Sequence, residues 1–424
     1  MTTTPDHVAP HMTRFLAMLD DAFRAYGEPS GLPERFRDAV AATPRHLFVH
    51  RYRVGGGPLR SAEGAGELRD ADPTHDLAEI YSDAVMTHVD AEGEPLPSTN
   101  SQPSYVLFLL HLLGLRPGHR VLEVGSGSGW LAAVMGRLVS ATGRVTGVEV
   151  IPDLATRSRA DFQRLRLVNV DAVAADGEQG HPPGAPYDRV MITAAVWDLP
   201  SALFDQVAEG GRVLAPLELR GSGCQVTVLR REGDRFVGER AVPGWFVPLL
   251  GSGQRRPELR CALAEALSRT QAGADPTRRV PLPLAAGLGG AAREAVWSFR
   301  AFLGRVALGF SVFGEGEAPR WRPGSRTEPF GIVDETGRSV ALWCGGELVG
   351  YGGESALRMM ARAYADWTGY GAPGVAGLGV DVMQVGDEPE RDVRVWPETR
   401  GGTTLVWRPL PGARDWQALL GSME

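Results

Sequence analysis

Cysteine is scarce in this chain. Its 424 residues hold three, Cys224, Cys261 and Cys344, with no CxxC or CxxH spacing among them. That excludes a disulfide framework and the usual zinc sites, so no metal is expected and a reducing cytoplasm fits. Positive charge is also short. At a net charge of −7 the chain lacks the basic surface that a phosphate backbone requires, and no nucleic-acid partner is expected. The spaced arginines of LRMMARAY (357–364) read as the solvated face of a helix. Long apolar runs are missing as well. A bilayer span takes roughly 18 apolar residues. VLFLLHLLGL (106–115) is too short for that and reads as a buried helix. MTTTPDHVAP has no basic segment leading into an apolar one, so it does not read as a signal peptide, and no membrane contact is expected. Internal repeats and low-complexity tracts are absent too.

What is present is the balance of a globular protein, 43% hydrophobic and 22% charged. The length calls for two or three domains. HMTRFLAMLDDAF (11–23) and LPERFRDAVAAT (32–43) place apolar residues at helical spacing. A Gly-, Asp- and Pro-rich stretch from Gly55 to His75 reads as a surface insertion. From about 102 to 230 helix and strand patterns alternate, which predicts a mostly parallel, doubly wound α/β sheet. In it SYVLFLLHLLGL is a helix stopping at Pro117-Gly118. QVTVLRREGDRFVGERAV (225–242) reads as a hairpin turning at EGD, and 243–257 as a Pro- and Gly-rich join. The expected division is an N-terminal helical region (1–100), a core (101–245) and a C-terminal α+β domain (258–424).

VLEVGSGSGW (121–130) carries the first chemical signal. Gly125, Gly127 and Gly129 follow a strand and open a helix, where glycine permits a positive φ and close approach of a ligand to the backbone amides. A dinucleotide fingerprint needs glycine at position 130, which is Trp130. A P-loop needs Gly-Lys-Ser/Thr, and no Lys is present. The turn is entered by an acid, Glu123. A second acid, Glu149, ends the next strand, where a carboxylate can take both hydroxyls of a ribose, and Asp176-Gly177 ends a third, placed for an adenine amino group. Either Glu149 or Asp176 alone reads equally well as a strand-end cap. Together they suit a cation that carries adenosine, S-adenosylmethionine.

Upstream, STNSQPS (98–104) reads as a polar loop in which Ser101, ahead of Gln102-Pro103, is favourably placed as a helix N-cap. The pieces SQP (101–103), VLEVGSGSGW, GVEV, ADGEQG, YDRVMITAA (187–195), PSALFDQVAEGGRVLAP (200–216) and Gln225 fall in an ordered series. With AVAATPRHLFVHRY and YSDAV (81–85), that series resembles the protein-L-isoaspartate O-methyltransferase family within the class I methyltransferases, over about 32 to 232. The resemblance implies a Rossmann-like methyltransferase core with S-adenosylmethionine as cofactor. It implies cofactor contacts from Glu123, Gly125, Ser126, Gly127, Ser128, Gly129, Trp130, Glu149, Val150, Asp176, Gly177 and Thr193. It also makes Ser101, with Thr99 and Asn100 before it, the residues beside the methyl-accepting carboxylate, and makes residues up to 100 the lead into an acceptor loop. One serine can serve as cap and contact both.

Methyl transfer to a carboxylate asks little of acid–base chemistry. An Asp side chain, of ordinary pKa about 3.9, is already ionised at neutral pH, so alignment is the task. A hydroxyl donating to one oxygen orients the carboxylate without quenching the other.

The chain departs from the family pattern in its extra C-terminal residues, in HVDAEGEPLPSTNSQP replacing the compact lead-in, in Asn100 for an isoleucine, and in Trp130 for a tyrosine. Members with such extensions resemble those that modify ribosomally made precursor peptides in lanthipeptide, lasso or graspetide maturation. The expected partner is therefore a peptide with an Asp acceptor, held by the added domain, whose Trp321, Phe330, Trp343, Tyr351, Trp367 and Trp407 serve as peptide contacts or as that domain's core. General isoaspartyl repair and a non-catalytic peptide-binding maturase subunit are the alternatives. A nucleic-acid methyltransferase is disfavoured by the missing Asn/Asp-Pro-Pro-Tyr/Phe motif.

Overall fold

The N-terminal helices form where the apolar spacing predicts them. The computed structural model describes residues 7–54, 68–70, 77–90, 92–252, 254, 260–270, 275–281, 289–307, 309–314, 329–344, 346–386 and 395–409. Most of the stretch expected as an insertion, and Trp321, lie outside the described residues. Helix α1 (Ala9–Ala25) buries Met12, Phe15, Leu19 and Phe23, three or four residues apart and so on one stripe. Each such side chain, once buried, is worth roughly 1.5–3 kcal/mol. Helix α2 (Glu34–Ala41) does the same with Phe36, Ala39 and Val40.

Strand β1 (Arg51–Val54) and β2 (Leu68–Asp70) are followed by the short helix α3 (Leu77–Ile80), then β3 (Met86–Val89) and β4 (Pro95–Asn100). These strands form a small antiparallel sheet in the order β2-β1-β3-β4. The lead-in to Ser101, expected as a loop, is thus a hairpin with Met86 opposite Asn100 and Thr87 opposite Thr99. Asp90 closes its turn by accepting the backbone N–H groups of Glu92 (3.0 Å) and Glu94 (2.8 Å). The Thr and Val residues of β3 favour a paired strand, and pairing overrides the loop-like composition of β4.

Helix α4 (Pro103–Leu113) is buried on nearly every side, as its apolar run requires. It ends ahead of Pro117, because Gly114 turns left-handed at φ +71°. Next come β5 (Arg120–Val124), α5 (Trp130–Leu138), β6 (Arg144–Glu149), α6 (Pro152–Arg164), β7 (Val170–Ala174), β8 (Tyr187–Ile192), α7 (Leu203–Gln206) and β9 (Val207–Glu218). All the pairs among β5 to β9 are parallel, in the order β9-β8-β5-β6-β7. This is the doubly wound sheet expected of a class I methyltransferase. The winding reverses beside β5, so a ligand crevice opens at the C-terminal ends of β5, β6 and β8.

β10 (Cys224–Glu232) and β11 (Arg235–Gly244) are neighbouring strands joined through Gly233-Asp234, the expected hairpin. The chain settles into two compact units that cut across the linear division at 245–258. One holds residues 1–216, 228–237 and 246–254; the other holds 217–227, 238–245 and 255–424. The second is α+β. A six-stranded sheet contains β12 (Arg260–Cys261), β13 (Arg278–Pro281), β14 (Phe310–Phe313), β15 (Phe330–Val333), β16 (Ser339–Cys344) and β17 (Glu347–Gly352), in the order β12-β14-β15-β16-β17-β13. Helices α8 (Leu263–Ser268), α9 (Gly289–Val306) and α10 (Ser355–Gly369) accompany it. Strands β18 (Leu378–Gln384), β19 (Trp396–Arg400) and β20 (Thr403–Pro409) pair in the order β19-β20-β18-β11.

Phe330, Trp367 and Trp407 are buried in the core of that second unit, so they are not free to hold a peptide. Trp407 donates its indole N–H to Glu398 (3.0 Å), which also accepts from Arg400 (2.8 Å) and Arg220 (3.0 Å). Burial raises the Glu398 pKa, but the charges of Arg400 and Arg220 outweigh it and hold the group below the usual carboxylate range. No helix among the described residues is long and apolar enough to cross a membrane.

Candidate active site

The glycine turn sits between β5 and α5, at the crevice that the strand order predicts. Gly125, Gly127 and Gly129 all have positive φ, +83°, +54° and +81°. At Gly129 the space is also closed: an added Cβ would come within 2.8 Å of Phe162 and Ser158 on α6. At Gly127 it is more open, bordered by His88 Nε2 at 3.6 Å and Ser98 Oγ at 3.7 Å. The turn is fixed by the Gly125 and Ser126 N–H groups, which both donate to Val148 O (2.9 and 3.1 Å).

Glu149, buried at the end of β6, accepts the Gly127 N–H through Oε2 (2.7 Å) and the Ile151 N–H through Oε1 (3.0 Å). Burial raises its pKa, and those hydrogen bonds work against the rise. The Val150 N–H also donates to this carboxylate, which lines the crevice at the end of β6. Glu123 differs. It is 1% exposed, and its Oε2 has no hydrogen-bond partner among the described residues. Burial, then repulsion from Glu149, pushes its pKa well above the usual carboxylate range. A cation or an N–H donor brought into this site would relieve that cost.

Two adjoining clefts open here. The first is lined by Pro97, Ser98, Thr99, Gly125, Val148, Glu149, Val150, Ile151, Gly177, Thr193, Ala194 and Val247 to Leu250. The second is lined by Thr99, Asn100, Ser101, Val106, Glu123, Gly125, Ser126, Ser128, Trp130, Leu131 and Thr193. Most of the residues expected from the sequence thus meet in one place, and Thr99, Gly125 and Thr193 border both clefts. Thr193 is held by a hydrogen bond from its hydroxyl to Gly125 O (2.7 Å). Trp130 donates its indole N–H to Thr43 O (3.0 Å), and the Arg45 guanidinium lies 5.7 Å from its ring centre.

Asp176 departs from expectation. Its Oδ1 accepts the Glu178 N–H (3.0 Å), and its Oδ2 accepts the N–H (3.1 Å) and hydroxyl (3.0 Å) of Ser252. Three of about four acceptor directions of this carboxylate are therefore taken, and of the pair Asp176-Gly177 only Gly177 lines a cleft. Ser101 does not act as the cap of α4. Helix α4 is capped by Asp83, which accepts the Ser104 N–H (2.8 Å). Gln102, at the N-cap position, makes no side-chain cap hydrogen bond. The Ser101 hydroxyl is left to the second cleft.

Sequence reasoning missed the segment 247–250. It reads as a join, yet Ala195 donates to Val247 O (2.7 Å) and accepts from the Leu249 N–H (2.8 Å), which lays the segment along the first cleft. Gln254 pins its far end through Trp197 N–H, Asp198 O and Glu178. The apolar run FVPLL was the available signal. Val150 and Leu250, each 40% exposed, are apolar lips of the same cleft.

The site fits S-adenosylmethionine on its own residues. Glu149 presents a carboxylate to ribose hydroxyls in the first cleft, Val150 and Leu250 offer apolar surface to a flat base, and the unpaired Glu123 Oε2 and Ser126 Oγ suit a cationic amino-acid end.

Comparison with known proteins agrees. Residues 73–254 match the family model described as Protein-L-isoaspartate(D-aspartate) O-methyltransferase (PCMT). The chain is 38% identical over 177 residues to a protein-L-isoaspartate O-methyltransferase of Ignicoccus hospitalis, covering 41% of this chain and 83% of that one. It is 42% identical over 239 residues to one of Halorhodospira halophila, covering 55% and 90%. A solved structure named protein-L-isoaspartate O-methyltransferase shares the fold at a TM-score of 0.50 and 23% identity, covering 88% of this chain and 96% of its own. This protein belongs to the protein-L-isoaspartate O-methyltransferase family and is a carboxyl methyltransferase that uses S-adenosylmethionine.

Proposed function

We propose that this enzyme esterifies the side-chain carboxylate of an aspartyl or isoaspartyl residue in a ribosomally made peptide, as a tailoring step. The observation that carries the site assignment is Ser101, free of any capping role, bordering the second cleft with Glu123, while Glu149 lines the adjoining one. When bound, S-adenosylmethionine supplies an electrophilic methyl carbon. Ser101 donates to one oxygen of the acceptor carboxylate and leaves the other to attack. The apolar walls around Val106 and Leu131 exclude water from that oxygen. In the methyl ester so formed, the next residue's backbone nitrogen attacks the ester carbonyl and methanol leaves, giving a succinimide. Water then opens the ring to Asp or isoAsp.

The tailoring reading is supported by the hairpin lead-in β3–β4, which replaces the compact family segment next to Ser101. General isoaspartyl repair is the second reading. It is favoured by the similarity to relatives named protein-L-isoaspartate O-methyltransferase, and a solved structure of that name shares the fold over 88% of this chain. An extended C-terminal region is therefore no argument for tailoring by itself.

The test incubates the protein and S-adenosylmethionine with a linear isoAsp peptide, a linear Asp peptide and cyclised Asp peptides, and follows methyl gain or water loss by mass. Rapid methylation of the linear isoAsp peptide alone would replace tailoring with repair. Cofactor binding without any methylation would leave a binding subunit.

A further inference from the structure

Three polar atoms of the second cleft are buried without a hydrogen-bond partner among the described residues: Glu123 Oε2, Ser126 Oγ and Asn100 Nδ2. Asn100, at the end of β4 and 9% exposed, stands where the resembled family pattern has isoleucine. Its side chain is not loose. The Ser128 hydroxyl, from the glycine turn, donates to Asn100 Oδ1 at 2.6 Å, the one hydrogen bond of that hydroxyl among the described residues. This bond fixes the amide so that its NH2 group is the free end. Buried polar groups without partners are rare in native proteins, and each calls for an explanation such as a bound water, an ion or a catalytic role. An NH2 group with two N–H donors matches the two oxygens of a carboxylate.

We infer that the Asn100 amide binds a carboxylate in the second cleft, with Ser128 as its positioning residue. The inference rests on the proposed function, since two carboxylates enter such a site: the reacting group of the acceptor peptide and the α-carboxylate of the cofactor. Ser101 and Asn100 are consecutive and both line the cleft. A carboxylate held by the Asn100 amide therefore lies in the same cleft that Ser101 borders.

The test uses the full chain with Asn100→Leu, Asn100→Asp, Ser128→Ala and the Ser128→Ala/Asn100→Leu double variant. KM and kcat are measured for whichever of the linear isoAsp, linear Asp and cyclised Asp peptides the wild type methylates. Binding of S-adenosylhomocysteine and of 5′-methylthioadenosine, which lacks the amino-acid end, is measured by calorimetry. A rise in peptide KM of about tenfold or more, largest for Asn100→Asp, with S-adenosylhomocysteine binding within about twofold, supports the inference and assigns the acceptor's carboxylate. Loss of S-adenosylhomocysteine affinity with 5′-methylthioadenosine unaffected supports it and assigns the cofactor's carboxylate. All constants within about twofold of wild type, or equal weakening of both nucleosides, overturns it. Ser128→Ala should raise the same constant in the wild-type background and leave it unchanged in the Asn100→Leu background. An equal effect in both backgrounds overturns the positioning role. If the wild type methylates no peptide, the reading of function fails, and unchanged S-adenosylhomocysteine binding by the variants then overturns this inference too.

Discussion

The Asp83 carboxylate accepts both the backbone N–H of Ser104 (2.8 Å) and its hydroxyl (2.6 Å). It also accepts the side-chain amide of Gln102 (2.8 Å). An acid twenty-one positions upstream thus caps α4 and fixes the residues on either side of Pro103. Ser101 is released from that task.

Removing this cap should cost stability before it costs chemistry. Asp83→Ala strands the Ser104 N–H and the Gln102 amide, and we expect a loss of about 1–2 kcal/mol. A urea titration reads it as a lower midpoint at unchanged slope. An unchanged midpoint would mean that α4 does not depend on Asp83.

Ser101→Ala should do the reverse. A hydrogen bond to a charged group is worth about 1.5–3 kcal/mol, so kcat/KM should fall roughly 10- to 100-fold. S-adenosylhomocysteine affinity and the urea midpoint should stay near wild type. A stability loss with turnover intact would return Ser101 to a structural role.

The two strand-end acids should separate by calorimetry. Glu149 lines the first cleft, whereas Asp176 does not and spends its oxygens on Glu178 and Ser252. Glu149→Gln should weaken S-adenosylhomocysteine binding by about tenfold or more, and Asp176→Asn by less. The opposite ranking would restore Asp176 as the main nucleoside contact.

Acid should destabilise the fold through His88. Burial, and then the charges of His50, Arg157 and Arg45, push its pKa down to about 4. The unfolded chain titrates near the ordinary value, so below about 6.5 it binds more protons than the folded chain. The contribution is fully present above about pH 6.5 and is lost as pH falls through 4, at most about 3 kcal/mol. Denaturant midpoints from pH 7 to 4 should fall less steeply for His88→Gln. Parallel curves would exclude His88 as the source.

Much of this was legible in the order of residues. Glycine spacing, the acids at strand ends and the β/α alternation are local patterns, each set by a few neighbouring side chains, and they located the sheet, the turn at Gly125 to Gly129 and most cleft residues. The lead-in was misread because Pro, Ser, Thr and Asn look like a loop until β3 is there to pair with them.

By itself, the sequence determined where chain segments become helix or strand and which chemistry the turn admits, since periodicity and glycine conformations act over a few residues. Only the tertiary structure decided which partner each polar group finds. It set Asp83 on Ser104, Ser252 on Asp176, Ser128 on Asn100 and residues 247–250 along Ala195. It also divided β9 to β11 between two units. These pairings join residues far apart in the chain, and they are chosen by packing and by the cost of burying an unpaired polar atom, which no local pattern records.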